Sequence, residues 1–204
     1  MATRSYFRFL LALALVTLAA SGCQRLKPLD TQPLDQAGMW YGSVQQLRSL
    51  DVTQAEIAQL ALARDAGISD GGCLDLVKIS RTRNQPFAEG ETVASLHSAG
   101  MPESDILALD RLGQLSPWGG QALALRLAGM SEGIVLALAQ RRVGGQAILS
   151  GASLAKLKDT GLSDAQLLEL IQRGTTDDEA QQIVAARERA AAPPGFVHYH
   201  RRRR

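Results

Sequence analysis

A short string that recurs four times at intervals of about thirty residues constrains the fold most strongly. The four copies are ARDAGISD, LHSAGMPE, LRLAGMSE and LKDTGLSD, centred on Gly67, Gly100, Gly129 and Gly161. In every copy the glycine is followed by an aliphatic residue or methionine, then by Ser or Pro, then by an acid. A period of 20–50 residues is typical of arrays in which one supersecondary unit is repeated.

The residue types in the string predict a helix, a tight turn and a second helix. A glycine just after a helix adopts positive φ without steric cost, and the apolar residue that follows packs back on the helix. A serine at the next position can cap the second helix, and an acid in its first turn complements the helix dipole. We refer to Gly67, Gly100, Gly129 and Gly161 as the turn glycines and expect them to be structural.

The complete prediction is an all-α fold with four helix-turn-helix hairpins and a terminal capping helix, arranged as a solenoid or a compact bundle. Aromatic residues make up only 4% of the chain, so the core is built from Leu, Ala, Ile and Val. Thr53 and Glu56 have the spacing of a capping box at the start of the first expected hairpin. The expected hairpins and capping helix span approximately residues 51–80, 86–113, 115–142, 149–173 and 175–192.

The segment before the repeats is predicted to contain a tether and a short helix. Residues 23–38 include Pro28 and Pro33 and lack periodicity, which is typical of a flexible connection. Apolar residues at helical spacing over 39–50 predict a helix that opens the folded domain, residues 39–192. Trp40 and Tyr41 are expected to pack in the core, with contact at a membrane interface as the alternative.

The N-terminus has the three parts of a secretory signal peptide. Arg4 and Arg8 precede an uncharged apolar run, and small residues follow in the string LAASGC, which ends at Cys23. This string resembles the lipobox of bacterial lipoproteins, although the family favours Leu where this chain has Ala20. The resemblance implies that residues 1–22 are removed and that Cys23 carries diacylglycerol and an N-terminal acyl chain such as palmitate. The alternative is an ordinary cleaved signal peptide.

The residue after Cys23 bears on the final membrane. In the lipoproteins that this region resembles, an aspartate there retains the protein at the inner membrane. Gln24 stands at that position here. We therefore expect a lipid-anchored protein of the cell envelope, held at the outer membrane and facing the periplasm.

The C-terminus differs in charge from the rest of the chain. Pro193 begins a predicted disordered tail, residues 193–204, that ends in Arg201, Arg202, Arg203 and Arg204. Without Arg4, Arg8 and these four arginines, the 22 basic residues fall to 16 against 20 acids. The tail is either a solvated terminus or a contact for an anionic polymer or lipid surface.

The chain lacks the common enzyme motifs, which predicts a protein that is not an enzyme and that binds no cofactor or metal. Cys73 falls at an apolar repeat position and is expected to be a buried hydrophobe. His97 is expected at the surface or half-buried. His198 and His200 have no third partner that would complete a metal site.

The hairpin also resembles the helix-hairpin-helix of non-specific DNA-binding proteins, in which two glycines flank an aliphatic residue. Here the second glycine is replaced by Ser69, Pro102, Ser131 and Ser163, and an acid follows each of them. Negative charge at the expected phosphate contact argues against nucleic acid as a partner.

Three functions fit the sequence. The leading interpretation is a membrane-anchored envelope lipoprotein whose array is a non-catalytic protein-interaction or structural module. The alternative is a binder of anionic envelope polymer or lipid through the arginine tail. An enzyme would need a polar pocket between units, near His97 or the basic segment 81–83.

Overall fold

Helices are the only regular secondary structure in the described part of the chain. A computed structural model describes residues 28–191, and its eleven helices belong to one compact unit that begins at Thr31. The helices are α1 Gln32–Gln36, α2 Tyr41–Ser49, α3 Gln54–Asp65, α4 Asp70–Thr82, α5 Gly90–Ser98, α6 Glu103–Arg111, α7 Leu115–Leu127, α8 Glu132–Val143, α9 Gly151–Asp159, α10 Asp164–Arg173 and α11 Asp177–Ala191. No strand occurs within 28–191, so the predicted all-α class is confirmed.

The helices form two rows. Helices α1, α3, α5, α7, α9 and α11 pack successively on one another in the odd row, and α2, α4, α6, α8 and α10 do so in the even row. Consecutive helices also pack across the rows as hairpins, as α3 does on α4 and α5 on α6. Each hairpin therefore covers the apolar faces of its neighbours, which is the arrangement of a repeat array.

The array contains one hairpin more than the sequence pattern predicts. Helices α1 and α2 are joined by Gly38, which has φ +75°, and Met39 after it is buried like its counterparts in the other turns. Leu34 in α1 is fully buried. The predicted tether over 23–38 is therefore wrong from residue 32 onward. The sequence pattern did not predict this first hairpin, because Trp40 stands where the other turns have Ser or Pro and Tyr41 stands where they have an acid.

Every predicted turn glycine lies in the left-handed region of backbone space. The φ angles are +105° for Gly67, +77° for Gly100, +75° for Gly129 and +84° for Gly161. In each turn the N–H of the following apolar residue donates to the carbonyl five residues earlier, as Met101 does to Leu96 over 3.0 Å. This is the hydrogen bond of a Schellman motif, and it satisfies a carbonyl that the helix end leaves free.

The serines of the turns cap the second helices unequally. The hydroxyls of Ser69 and Ser163 accept from the backbone N–H three residues later, at 3.0 and 3.4 Å. Ser131 makes no such bond, and Pro102 has no side-chain acceptor. The predicted capping box of Thr53 and Glu56 is present. Side-chain caps therefore support only some of the second helices, whereas a glycine with positive φ precedes the second helix of every hairpin.

A matched pair of glycine substitutions separates turn conformation from helix propensity. Gly129→Ala should destabilise the protein by about 1–2 kcal/mol, because an L-residue resists the left-handed region. Gly120→Ala should stabilise it by up to about 1 kcal/mol, because Gly120 lies inside α7 and no heavy atom lies within 4 Å of an added Cβ. Urea denaturation followed by circular dichroism measures both. Equal effects would contradict the assigned turn role.

Candidate functional site

Basic side chains link each odd-row helix after α1 to the turn of the preceding hairpin. His97 on α5 has Nδ1 2.8 Å from the Ala66 carbonyl oxygen, and since a carbonyl only accepts, Nδ1 carries the proton. Arg126 on α7 donates from Nη2 to the Gly100 carbonyl over 3.0 Å. Arg64 and Lys158 make the equivalent contacts with the carbonyls of Gly38 and Gly129. These carbonyls form the negative ends of helices, so a donor or cation there stabilises the stacking.

The acids of the turns also connect neighbouring units. Asp70 accepts a hydrogen bond from the Trp40 backbone N–H over 2.9 Å. Glu103 accepts from the backbone N–H of Ser69 over 2.7 Å and from its hydroxyl over 2.8 Å. In both pairs the acid belongs to one hairpin and caps an even-row helix of the hairpin before it. The sequence predicted only the effect of these acids on their own helices.

Glu56 and Arg81 form the most extensively bonded ion pair. Glu56 is 1% exposed, and its two carboxylate oxygens accept from Arg81 at 2.6 and 3.0 Å and from the Phe87 backbone N–H at 2.9 Å. Thr53 donates to Glu56 from its backbone N–H and its hydroxyl. Burial by itself would raise the pKa of Glu56, but the hydrogen bonds from Arg81, Thr53 and Phe87 lower that pKa to about 2.

A second buried pair joins Arg83 to Asp110 with the opposite electrostatic result. Arg83 Nη2 lies 2.5 Å from Asp110 Oδ1, while Oδ2 of the same carboxylate is buried without a hydrogen-bond partner. Burial raises the pKa of Asp110, and the hydrogen bond from Arg83 offsets only part of that effect. Both arginines of the basic segment 81–83 therefore bind carboxylates of neighbouring helices.

The remaining chemistry-bearing side chains are separate. Cys73 is fully buried, and burial raises the pKa of its thiol to about 12, so the thiolate is not accessible near neutral pH. Within residues 28–191 no cluster of three or more His, Cys, Asp or Glu side chains has the geometry to hold a metal ion. None of the helices in this part of the chain has the length and apolar character of a membrane-spanning segment.

The solvent-facing side of α7 is the distinctive surface of the array. Its exposed positions carry no charge, and they are Ser116, Pro117, Gly120, Gln121, Ala124 and Leu127. Leu127 is 73% exposed, and the charge on α7, Arg126, is directed into the contacts with the preceding turn. We call these six residues the α7 face. The sequence shows that these side chains are uncharged, but only the structure shows that they are exposed.

A cavity of about 530 Å³ adjoins the α7 face. It lies between α7 and the segment that leads into α9, and its lining includes Ala124, Leu125, Leu138 and Leu149. Gln121 and Ala124 belong to both the face and the cavity. A second cavity of about 660 Å³ between α9 and α11 is lined by more charged side chains, among them Lys156, Arg187 and Glu188. The first cavity is therefore the better match for an apolar side chain.

The predicted site residues have different positions relative to this surface. The turn glycines lie at the hairpin turns, and none of them lines the cavity beside α7. Cys23 and Arg201, Arg202, Arg203 and Arg204 lie outside the described residues. The sequence did not predict that Arg81 and Arg83 pair with buried acids. It showed only that these basic residues lie near the C-terminus of a helix, where the helix dipole favours positive charge.

Comparisons with known proteins find no matching family model, no matching curated protein and no matching solved structure. The class of protein is therefore described from the structure alone, as an array of helical hairpins.

Glu56→Gln should destabilise the folded protein by about 2–3 kcal/mol at neutral pH, because it removes one partner of a buried pair. The pKa of Glu56 is about 2 in the folded chain and about 4.3 when unfolded. Its contribution is therefore complete above the unfolded value and is lost as pH falls from about 5 toward 2. Urea titrations across this range should show that loss in the wild type and a smaller one in the variant.

Glu169→Gln is the matched control, because the Glu169–Arg173 pair is exposed on α10. Its effect should stay below about 1 kcal/mol. Similar losses for the two variants would contradict the special role of Glu56.

Proposed function

We propose that this protein is an envelope lipoprotein, anchored through acyl chains on Cys23, whose helical array binds another envelope protein without catalysis. The anchor is supported by the basic lead, the apolar run and the LAASGC string that ends at Cys23. Two or more acyl chains hold a protein stably on a membrane, at about 0.8 kcal/mol for each buried methylene. Gln24 favours the outer membrane in this proposal.

The observation that carries the binding function is the uncharged α7 face beside a cavity whose lining is mostly apolar, with Arg142 as its one charged residue. Protein interfaces are depleted of charge at their centres, and an apolar side chain inserted into a pocket commonly contributes much of the binding energy. The α7 face offers such a centre in Ala124 and Leu127, with the cavity next to Ala124. The partner that fits is a protein with an exposed aliphatic or aromatic side chain within a largely uncharged patch.

The inter-unit contacts support a scaffold more than a catalyst. Arg81, Arg83 and His97 are the groups that the sequence offered for a polar pocket. Arg81 and Arg83 bind buried acids, and His97 binds the Ala66 carbonyl. Their hydrogen-bonding capacity therefore contributes to holding neighbouring hairpins in register.

Cys23→Ser should abolish acylation and release the protein from the membrane fraction. Intact-mass analysis of the membrane-extracted wild type should give a chain that begins at Cys23 and carries diacylglyceryl and an N-acyl group. Cys73→Ala is the control and should retain both modifications, because Cys73 is a buried residue of α4. A wild-type chain that keeps residues 1–22 and an unmodified thiol would overturn the anchor.

A photo-reactive amino acid at Leu127 should form a specific adduct with one envelope protein in living cells. The same amino acid at Lys78, which is exposed on the even-row helix α4, should not form it. Ala124→Arg should remove the Leu127 adduct, because it places a charge at the centre of the α7 face. Adducts at Lys78 of equal yield, or none at Leu127, would contradict the proposed surface.

A further inference from the structure

Two adjacent aromatic residues at the start of the array are exposed, contrary to the expected core packing. Trp40 and Tyr41 are each 70% exposed. The other two aromatic residues within 28–191, Phe87 and Trp118, are 1% and 2% exposed. Exposure is therefore a property of this pair, and the core-packing prediction for Trp40 and Tyr41 is wrong.

The fold holds this aromatic pair in a defined position. The Trp40 backbone N–H donates to Asp70 of the next hairpin, and the Trp40 carbonyl accepts from Val44 in the first turn of α2. The indole lies over Gly42, where an added Cβ would come within 1.9 Å of the ring. The ring thus rests on bare backbone while most of its surface faces solvent.

The pair lies in the first hairpin of the array, which is the hairpin closest to Cys23 in sequence. The eight Cα-to-Cα steps from Cys23 to Thr31 span at most about 29 Å, at about 3.6 Å per step. Thr31 accepts a hydrogen bond from Arg48 near the C-terminal end of α2, and Trp40 is at the other end of that nine-residue helix. A helix of this length is about 13 Å long, so one short connection and one short helix separate Trp40 from Cys23 along the chain.

We propose that Trp40 and Tyr41 insert into the headgroup region of the bilayer that holds the Cys23 anchor, an inference that rests on the proposed lipid attachment. Tryptophan and tyrosine combine an apolar ring with one polar group, which is why they are enriched at membrane interfaces. Neighbouring helices are spaced by about 8–10 Å, so each later unit lies farther along the array from the anchored unit. Contact through α2 fixes the first hairpin against the lipid and leaves the α7 face available to a partner.

The test uses the protein extracted from the membrane fraction of cells and placed in phosphatidylethanolamine–phosphatidylglycerol vesicles that contain lipids brominated near the headgroup. Trp118→Phe leaves Trp40 as the fluorophore, and its emission should shift to shorter wavelength and be quenched by the brominated lipids. Trp40→Phe leaves the buried Trp118, whose emission should not change. If Trp118→Phe does not fold, the emission of Trp40 is obtained by subtracting the emission spectrum of Trp40→Phe from that of the wild type.

Leu127→Trp in the Trp40→Phe background is the positional control, because it places an exposed indole on α7. It should remain unquenched. Quenching at Leu127→Trp equal to that at Trp40 would overturn the inference, because the whole array would then lie on the lipid. A shorter-wavelength emission from Trp40 without quenching would also overturn it, in favour of a protein contact.

Intact mass of the same sample separates the two proposals. An acylated chain with unquenched Trp40 overturns the aromatic contact and leaves the lipoprotein assignment intact. An unmodified Cys23 overturns the lipoprotein assignment itself, and with it the inference that depends on the anchor.

Discussion

The array depends on how each helix end satisfies its free carbonyl groups. A residue with positive φ lets the chain reverse, and the next N–H bonds to a carbonyl of the helix just completed. A donor from the following hairpin, such as His97 or Arg126, then binds a carbonyl of that turn. The same helix ends thus define the local reversal and the stacking of neighbouring units, so turn geometry and unit packing are coupled.

Because these polar side chains are used in contacts between hairpins, they also determine which surfaces of the array face solvent without charge. Arg126 points into the contact between units, so α7 faces solvent without charge, and Asp70 holds the Trp40 backbone while the indole remains outside. The α7 face and the aromatic pair therefore occupy different units of one array. In the functions proposed here, the first unit contacts lipid and a later unit meets a protein partner, as a scaffold between a membrane and a partner requires.

Much of the fold was predictable because it follows from short-range rules. Glycine, an apolar residue and an acid in fixed order specify a turn and a helix start, so the repeat around Gly67, Gly100, Gly129 and Gly161 predicted the hairpins. The first hairpin was missed because Trp40 and Tyr41 break the pattern, although Gly38 and Met39 preserve its mechanism. The α7 face was not predictable, because a helix of Leu, Ala and Gly gives little indication of which side its neighbours cover.

The sequence by itself determined the helical class, the positions of the turn glycines, the Thr53–Glu56 capping box and the likeness of LAASGC to a lipobox. Each of these involves residues a few positions apart, where backbone sterics and local hydrogen bonds decide the outcome. Only the tertiary structure decided that Arg81 binds Glu56 and that Trp40 is exposed. Such contacts join residues some 25 to 31 positions apart, and they depend on the rotation and spacing of packed helices.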